Sequence, residues 1–119
     1  MKNPDGSDPF ERGLVLFNAG QFFECHEVWE ELWKRASGDD RLFYQGLIQA
    51  AVAILHLERG NLRGAGSTYA KARAKLDGLS GEYMGIALDG FRAALGEFFA
   101  QALEEKKKLP TRPQIHRKE

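Results

Sequence analysis

The sequence predicts an all-α fold, a compact bundle of about five helices. Three observations carry this reading. Apolar residues recur at helical spacing over most of the chain, as in Leu42, Phe43, Leu47, Ile48, Val52, Ile54, Leu55 and Leu57. Glycines stand where such stretches stop, at Gly20 and Gly60. No segment alternates apolar and polar residues over a useful length, and no Asn-Gly hairpin turn occurs.

The elements follow in order. Residues 1–7 read as a disordered lead-in. Asp8-Pro9 is a helix start, because Asp accepts from free backbone donors and Pro suits the first helical position. The first helix runs to about Ala19, with Leu14, Phe17 and Phe10 as its stripe, and Gly20 ends it. A second helix spans about Gln21 to Ala36. Ser37-Gly38-Asp39-Asp40 is a turn that caps a third, Arg41 to about Arg59. The third is apolar almost all round and belongs mid-bundle. Gly60-Asn61 ends it, and a fourth helix covers Leu62 to about Leu76. Gly78 to Gly85 reads as a loop. Asp89 caps a last helix from Gly90 to about Lys107, burying Phe91, Leu95, Phe98, Phe99 and Leu103. Pro110 and Pro113 keep the end of the chain extended. The expected organisation is thus a disordered segment 1–7, one helical domain 8–107 and an extended tail 108–119.

A faint repeat runs through the first half at an offset of 40 residues. Leu14 matches Ile54, Phe17 matches Leu57, Gly20 matches Gly60, Phe22 matches Leu62 and Trp29 matches Tyr69. Each copy is helix, glycine turn, helix. Gly60 to Ala65, with Tyr69 and Ala72 after it, looks like part of a tetratricopeptide repeat. Two copies are too few for a solenoid. Two helical hairpins with tetratricopeptide-like pairing, plus a closing helix, fit better.

Composition narrows the function classes. A chain of 119 residues suits one domain with one core. Hydrophobic residues make up 43% and charged residues 29%, ordinary values for a globular protein. Lys+Arg and Asp+Glu both number 17, so no global basic field draws nucleic acid or an anionic membrane. The basic stretch Lys106-Lys107-Lys108, with Arg112, Arg117 and Lys118, reads as a solvated helix end. One cysteine, Cys25, forms no internal disulfide, which fits a reducing compartment. The polar N-terminus lacks a signal peptide's apolar segment, and the run Ala50 to Leu55 is too short to span a bilayer. A cytoplasmic location is expected.

The stretch richest in chemistry is Phe22 to Trp33, which holds both tryptophans, His26 and four acids. On a helical wheel Phe22, Cys25, His26, Trp29, Leu32, Trp33 and Ala36 share one face. Glu24, Glu27, Glu31, Lys34 and Arg35 share the other. Glu30 lies one turn from His26 at the edge of the apolar face. In the third helix Gln45, Gln49 and His56 line up with Val52. Buried polar groups need partners, so this stripe is expected to face His26 and Glu30. The cluster is either a satisfied polar knot fixing helix register or a small-ligand, metal or hydrolase-like site. In the metal variant His26-Glu27-Val28-Trp29-Glu30 is H-E-x-x-E, a relative of the H-E-x-x-H zinc motif. His26 and Glu30 would hold the ion, His56 would add a ligand, and Glu27 would be the general base. A Cys25 nucleophile could use only His56, since His26 points about 100° away around the helix. The tryptophans read as core, because no basic groove accompanies them as in a base-stacking surface. His116 has no evident partner.

With these residues in view, Phe17-Asn18-x-Gly20-x-Phe22-Phe23-Glu24-x-His26-Glu27-x-Trp29-Glu30-x-x-Trp33 resembles the signature of a family of small helical bacterial and archaeal proteins, catalogued as domain of unknown function 309. Gly46-Leu47-Ile48-Gln49-x-Ala51-x-Ala53-x-x-His56-x-x-x-Gly60-Asn61-x-x-Gly64-Ala65 is similar to its second block. A weaker third block is Tyr83 to Ile86 with Asp89. The resemblance extends over roughly residues 10 to 105. It implies an all-α bundle and no particular activity. Its polar signature positions fall here on His26, Glu27, Glu30, Gln49, His56 and Asn61; Asn61 reads as a turn-shaping residue. The residues name no reaction, cofactor, protein partner or oligomeric state. Two functions fit: a ligand or catalytic protein using the polar cluster, or a tetratricopeptide-like interaction module whose groove binds a protein segment.

Overall fold

The computed structural model describes residues 8–105 and 110–118. The expected disordered segment 1–7 and the Lys106–Lys108 run lie outside these residues. Within them the chain forms α1 (Pro9–Asn18), α2 (Phe22–Arg35), α3 (Gly38–Glu58), α4 (Leu62–Leu76), a hairpin of β1 (Glu82–Tyr83) and β2 (Ile86–Ala87), and α5 (Leu88–Glu105). Two helical hairpins, α1–α2 and α3–α4, pack side by side through α2 and α3, and α5 closes the bundle. The all-α class is as expected.

Local signals place most boundaries. The Asp8 carboxylate accepts from Glu11 N at 2.8 Å and Pro9 opens α1. The two inter-helix turns repeat each other. Gly20 N donates to Phe17 O and Gln21 N to Leu16 O, both at 2.9 Å. Gly60 N donates to Leu57 O at 3.1 Å and Asn61 N to His56 O at 2.8 Å. Gly20 and Gly60 sit at φ of 81° and 80°, the left-handed conformation that glycine adopts without a Cβ penalty. The repeat read in the sequence is therefore a repeat of backbone geometry. The third helix starts at Gly38, earlier than the expected Arg41. Gly38 turns the chain at φ 61°, which leaves Asp39 and Asp40 in the first turn, where acids favour the helix dipole.

α3 runs through the middle and buries Phe43, Gly46, Leu47, Ile48, Ala50, Ala51, Ala53, Ile54 and Leu57. Trp29 is the central core side chain, fully buried. Its indole lies on the α1 backbone at Gly13, where any Cβ would overlap the ring. Its Nε1 donates to Phe10 O at 3.3 Å. Phe10 and Phe17 stack on it, each at 6.1 Å between centroids. The buried stripe of α2 is Phe22, Cys25 and Trp29. Trp33, expected in the core, is only half-buried, and Arg41 lies 4.2 Å over its ring. Arg41 also donates to Trp33 O and Ala36 O, at 3.2 and 3.3 Å. It thus satisfies carbonyls that the end of α2 leaves open.

The sequence carried no evident β signal, yet β1 and β2 pair antiparallel, Glu82 with Ala87 and Tyr83 with Ile86. Met84 and Gly85 turn the hairpin at φ of 49° and 75°. Both central residues at positive φ match the twist of paired strands. Strands of two residues are too short to show alternation. Tyr83 Oη donates to Asp40 Oδ1 at 2.6 Å, tying the hairpin to α3 and pushing the phenol up to about 12. α5 begins at Leu88, so Asp89 lies in its first turn rather than at its cap. There it accepts from Arg92 Nη2 at 2.6 Å.

Residues 110–118 are non-helical, as prolines at 110 and 113 require. They are not a solvated appendage: Pro113 and Ile115 are buried, and Ile86 and Arg117 form a β-bridge. Arg112 and Arg117, read from the sequence as solvated charges, pair with Glu58 and Glu11.

The unequal burial of the two tryptophans gives a direct comparison. Trp29→Ala should cost roughly 3–5 kcal/mol, the usual range for a buried aromatic. Trp33→Ala should cost less than about 2 kcal/mol, in proportion to the smaller area it hides. Urea unfolding followed by far-UV circular dichroism measures both, and equal losses would contradict this division.

Candidate functional site

α2 presents His26 and Glu30 one helical turn apart on the margin of its buried stripe. His26 Nε2 lies 3.4 Å from Glu30 Oε2, with the side chains 28% and 41% exposed. At that exposure the pair adds at most about 1 kcal/mol to stability. Phe23, half-exposed, lies 6.2 Å from the His26 ring. Glu27 is exposed one position further around the helix.

α3 presents Gln45, Gln49 and His56. Gln49 is half-buried, and its Oε1 is buried without a hydrogen-bond partner among the described residues. That is an uncommon and costly state for an amide oxygen, roughly 1–3 kcal/mol. His56 belongs to the Gly60 turn. Its Nδ1 lies 3.3 Å from Asn61 Nδ2, while Asn61 Oδ1 accepts from Gly64 N at 2.9 Å. The amide oxygen is thus committed to the α4 cap, so the amide NH2 faces His56 and Nδ1 accepts. Asn61 shapes the turn as expected.

Among the described residues no hydrogen bond or ion pair links the His26–Glu30 pair to Gln49 or His56. No three His, Cys, Asp or Glu side chains there are grouped to hold a metal ion. The ligand set read from H-E-x-x-E with His56 is therefore not assembled. Cys25 is fully buried, and burial pushes its thiol far up, away from the thiolate a nucleophile requires.

Among the described residues, three of the surface cavities bear on the site. One of about 310 Å³ is lined by Trp33, Gly38, Arg41, Leu42, Gln45 and Lys75, where α2, α3 and α4 meet. The largest of the three, about 650 Å³, is a groove between α4 and α5 floored by Tyr69, Leu76, Leu95, Phe99 and Leu103. The third, about 380 Å³, lies between α5 and residues 110–113. The structure adds residues that sequence reasoning missed: Arg41, Lys75 and Asn18. Asn18 joins residues far apart in the chain, so no local pattern announces it.

The first two signature blocks lie on α1 to α4, around the Gly20 and Gly60 turns. Residues 10–68 belong to the family described as domain of unknown function (DUF309). The third block, at Tyr83 to Asp89, lies beyond the matched segment. An uncharacterized protein of Aquifex aeolicus (strain VF5) is 30% identical over 82 residues, 68% of this chain and 25% of that protein. The uncharacterized protein YpuF of Bacillus subtilis (strain 168) is 46% identical over 54 residues, 44% of this chain and 31% of YpuF. The chain thus spans about a quarter to a third of these curated relatives. Among the described residues no helix is long and apolar enough to cross a membrane.

The burial of Cys25 has a plain consequence. A chromogenic disulfide reagent should leave the native DUF309 protein unlabelled and react with one thiol per chain after denaturation. Rapid labelling of the native protein would reopen the nucleophile reading.

Proposed function

We propose that the DUF309 protein is a binding domain, and that its working strip is the seam between α2 and α3. The observation that carries the proposal is the buried Oε1 of Gln49, without a partner among the described residues. An acceptor without a donor is complementary to a ligand that brings one. Packing register supports the reading. Arg41 covers Trp33, and Gln45 shares a cavity with Trp33. Two turns back along α2 is His26, about 10 Å away at a rise of ~1.5 Å per residue. The same distance along the antiparallel α3 reaches the neighbourhood of Gln49 and Val52. His56 lies about a turn further on, engaged with Asn61.

The strip then offers the part-exposed Glu30 carboxylate and His26 ring, and the buried Gln49 oxygen to a donor that parts the seam to reach it. Two acceptors beside a negative charge select a donor-rich cation, a guanidinium or ammonium group. Arg41, stacked on Trp33 with two carbonyls as its acceptors, is the same recognition made within the chain. A hydrolytic role has less support: Glu27 points to solvent and Cys25 is sealed. The tetratricopeptide-like interaction reading draws on a different feature, the aromatic-floored groove between α4 and α5. Cytoplasmic location belongs with these proposals and rests on the single cysteine, which forms no internal disulfide.

Gln49→Leu tests the binding strip on two axes. Removing an orphaned acceptor should raise stability by roughly 1–3 kcal/mol. The same variant should lose binding of arginine amide, followed by NMR shifts of the Trp33 indole and the His26 ring. Glu30→Gln should weaken that binding by about tenfold or more, the scale of one hydrogen bond to a charge. A Gln49→Leu protein that is less stable, or shifts that persist unchanged in both variants, would overturn the proposal.

A further inference from the structure

Residues 110–118 are held by the rest of the chain as an extended ligand would be. Asn18, at the end of α1, reads one residue of this strap from both sides. Ile115 N donates to its Oδ1 at 2.8 Å, and its Nδ2 donates to Ile115 O at 3.0 Å. Gln114 Nε2 donates to the Asn18 carbonyl at 2.9 Å. The hairpin reads the next stretch: Ala87 N donates to His116 O at 2.9 Å and Lys118 N to Gly85 O at 2.8 Å. Pro113 and Ile115 point inward at alternate positions, and Ile115 is 3% exposed. Acids flank the track. Glu58, at the end of α3, meets Arg112 at 3.4 Å, and Glu11 on α1 pairs with Arg117. Arg112 also lies 5.8 Å from the Phe22 ring.

Every one of these hydrogen bonds and ion pairs joins the strap to the body, and none of them joins two strap residues. Most of the hydrogen bonds read the strap's backbone, which any extended segment shares. Selectivity comes from two inward apolar positions and from two acids. These are the elements of peptide recognition by strand addition, where main-chain bonds supply affinity and alternate side chains supply specificity. We infer that the Asn18–β2 track is a docking groove for an extended segment of a partner protein, bearing a cation, a Pro-x-Ile-like pair and a second cation, and that the strap occupies it in cis. Charge complementarity with Glu58 and Glu11 fixes the partner's chemistry. The groove is separate from the α2–α3 strip.

A self-occupied groove binds its partner with an affinity reduced by the fraction of open chains. The test uses the full chain and a fluorescein-labelled peptide of residues 110–118, followed by fluorescence anisotropy. Ile115→Asp opens the groove by burying a charge in the strap. The double variant Arg112→Glu/Arg117→Glu opens it by setting acid against acid, without touching the apolar anchors. Both should bind the peptide at least about tenfold tighter than the unmodified chain. Glu58→Lys added to either variant should lose that gain, and a peptide with Asp in place of its Ile should not bind. Absence of binding to the double variant, while its melting stays cooperative, overturns the inference. So does equal binding of the Asp peptide. A dimer of the unmodified chain that the peptide converts to monomers overturns the partner assignment, because the groove would then belong to a second copy's strap.

Discussion

The bundle depends on one contact, the Nε1 edge of the Trp29 indole set against the α1 backbone at Gly13. It fixes the spacing of α1 and α2, since no residue with a Cβ leaves room for the ring. From it an aromatic chain spreads through the molecule. Phe17 stacks on Trp29 and meets Phe91 of α5 edge-on at 5.6 Å. Phe10 also stacks on Trp29 and meets Phe43 of α3 at 5.8 Å. Phe43 in turn meets Tyr83 of the hairpin at 4.7 Å. Elements that share little backbone contact are thereby held by one set of rings, each pair contributing about 0.5–1.5 kcal/mol beyond the area it buries.

The two glycine turns show how one local rule acquires different consequences. Their hydrogen bonds and φ values match. Yet Phe22, after the first turn, is buried with Arg112 near its ring, whereas its counterpart Leu62, after the second, is 38% exposed. What differs is the neighbour beyond each hairpin. The first hairpin packs closely on the second and is overlaid by the strap. The second meets α5 over few residues, which leaves the α4–α5 groove open. Repetition in the sequence sets the turns, and non-repeated elements decide which residues remain accessible.

Legibility in the sequence followed the range of the interactions. Asp8, Gly20, Gly60 and Asn61 act within a few residues of themselves, and their roles could be read in the chain. The His26–Glu30 pair is likewise local, one helical turn in length. The wheel for α2 failed in its width. It grouped Trp33 with Trp29, whereas only Phe22, Cys25 and Trp29 of α2 are sealed. The hairpin escaped because its strands are two residues each and its turn is Met-Gly. The docked strap escaped because its anchor, Asn18, lies 97 residues from Ile115. Within the site, the polar stripe of α3 could be read from spacing. That Gln49 keeps a buried oxygen without a donor among the described residues depends on packing that no periodicity encodes; that His56 turns to Asn61 is a local contact within the Gly60 turn, which a wheel of α3 alone does not include.

The sign of one substitution tests the central contact most directly. Gly13 lies inside α1, where helix propensity alone makes Gly→Ala stabilising by about 1 kcal/mol. Overlap with the indole reverses that, because an added methyl in a filled core costs about 1–3 kcal/mol. The measurement is the urea-unfolding free energy of Gly13→Ala against the unmodified chain. A loss of stability, with Trp29 fluorescence shifted toward that of a looser core, is the expected result. A gain in stability would mean that the indole does not rest on α1, and the account of the bundle built on it would be wrong.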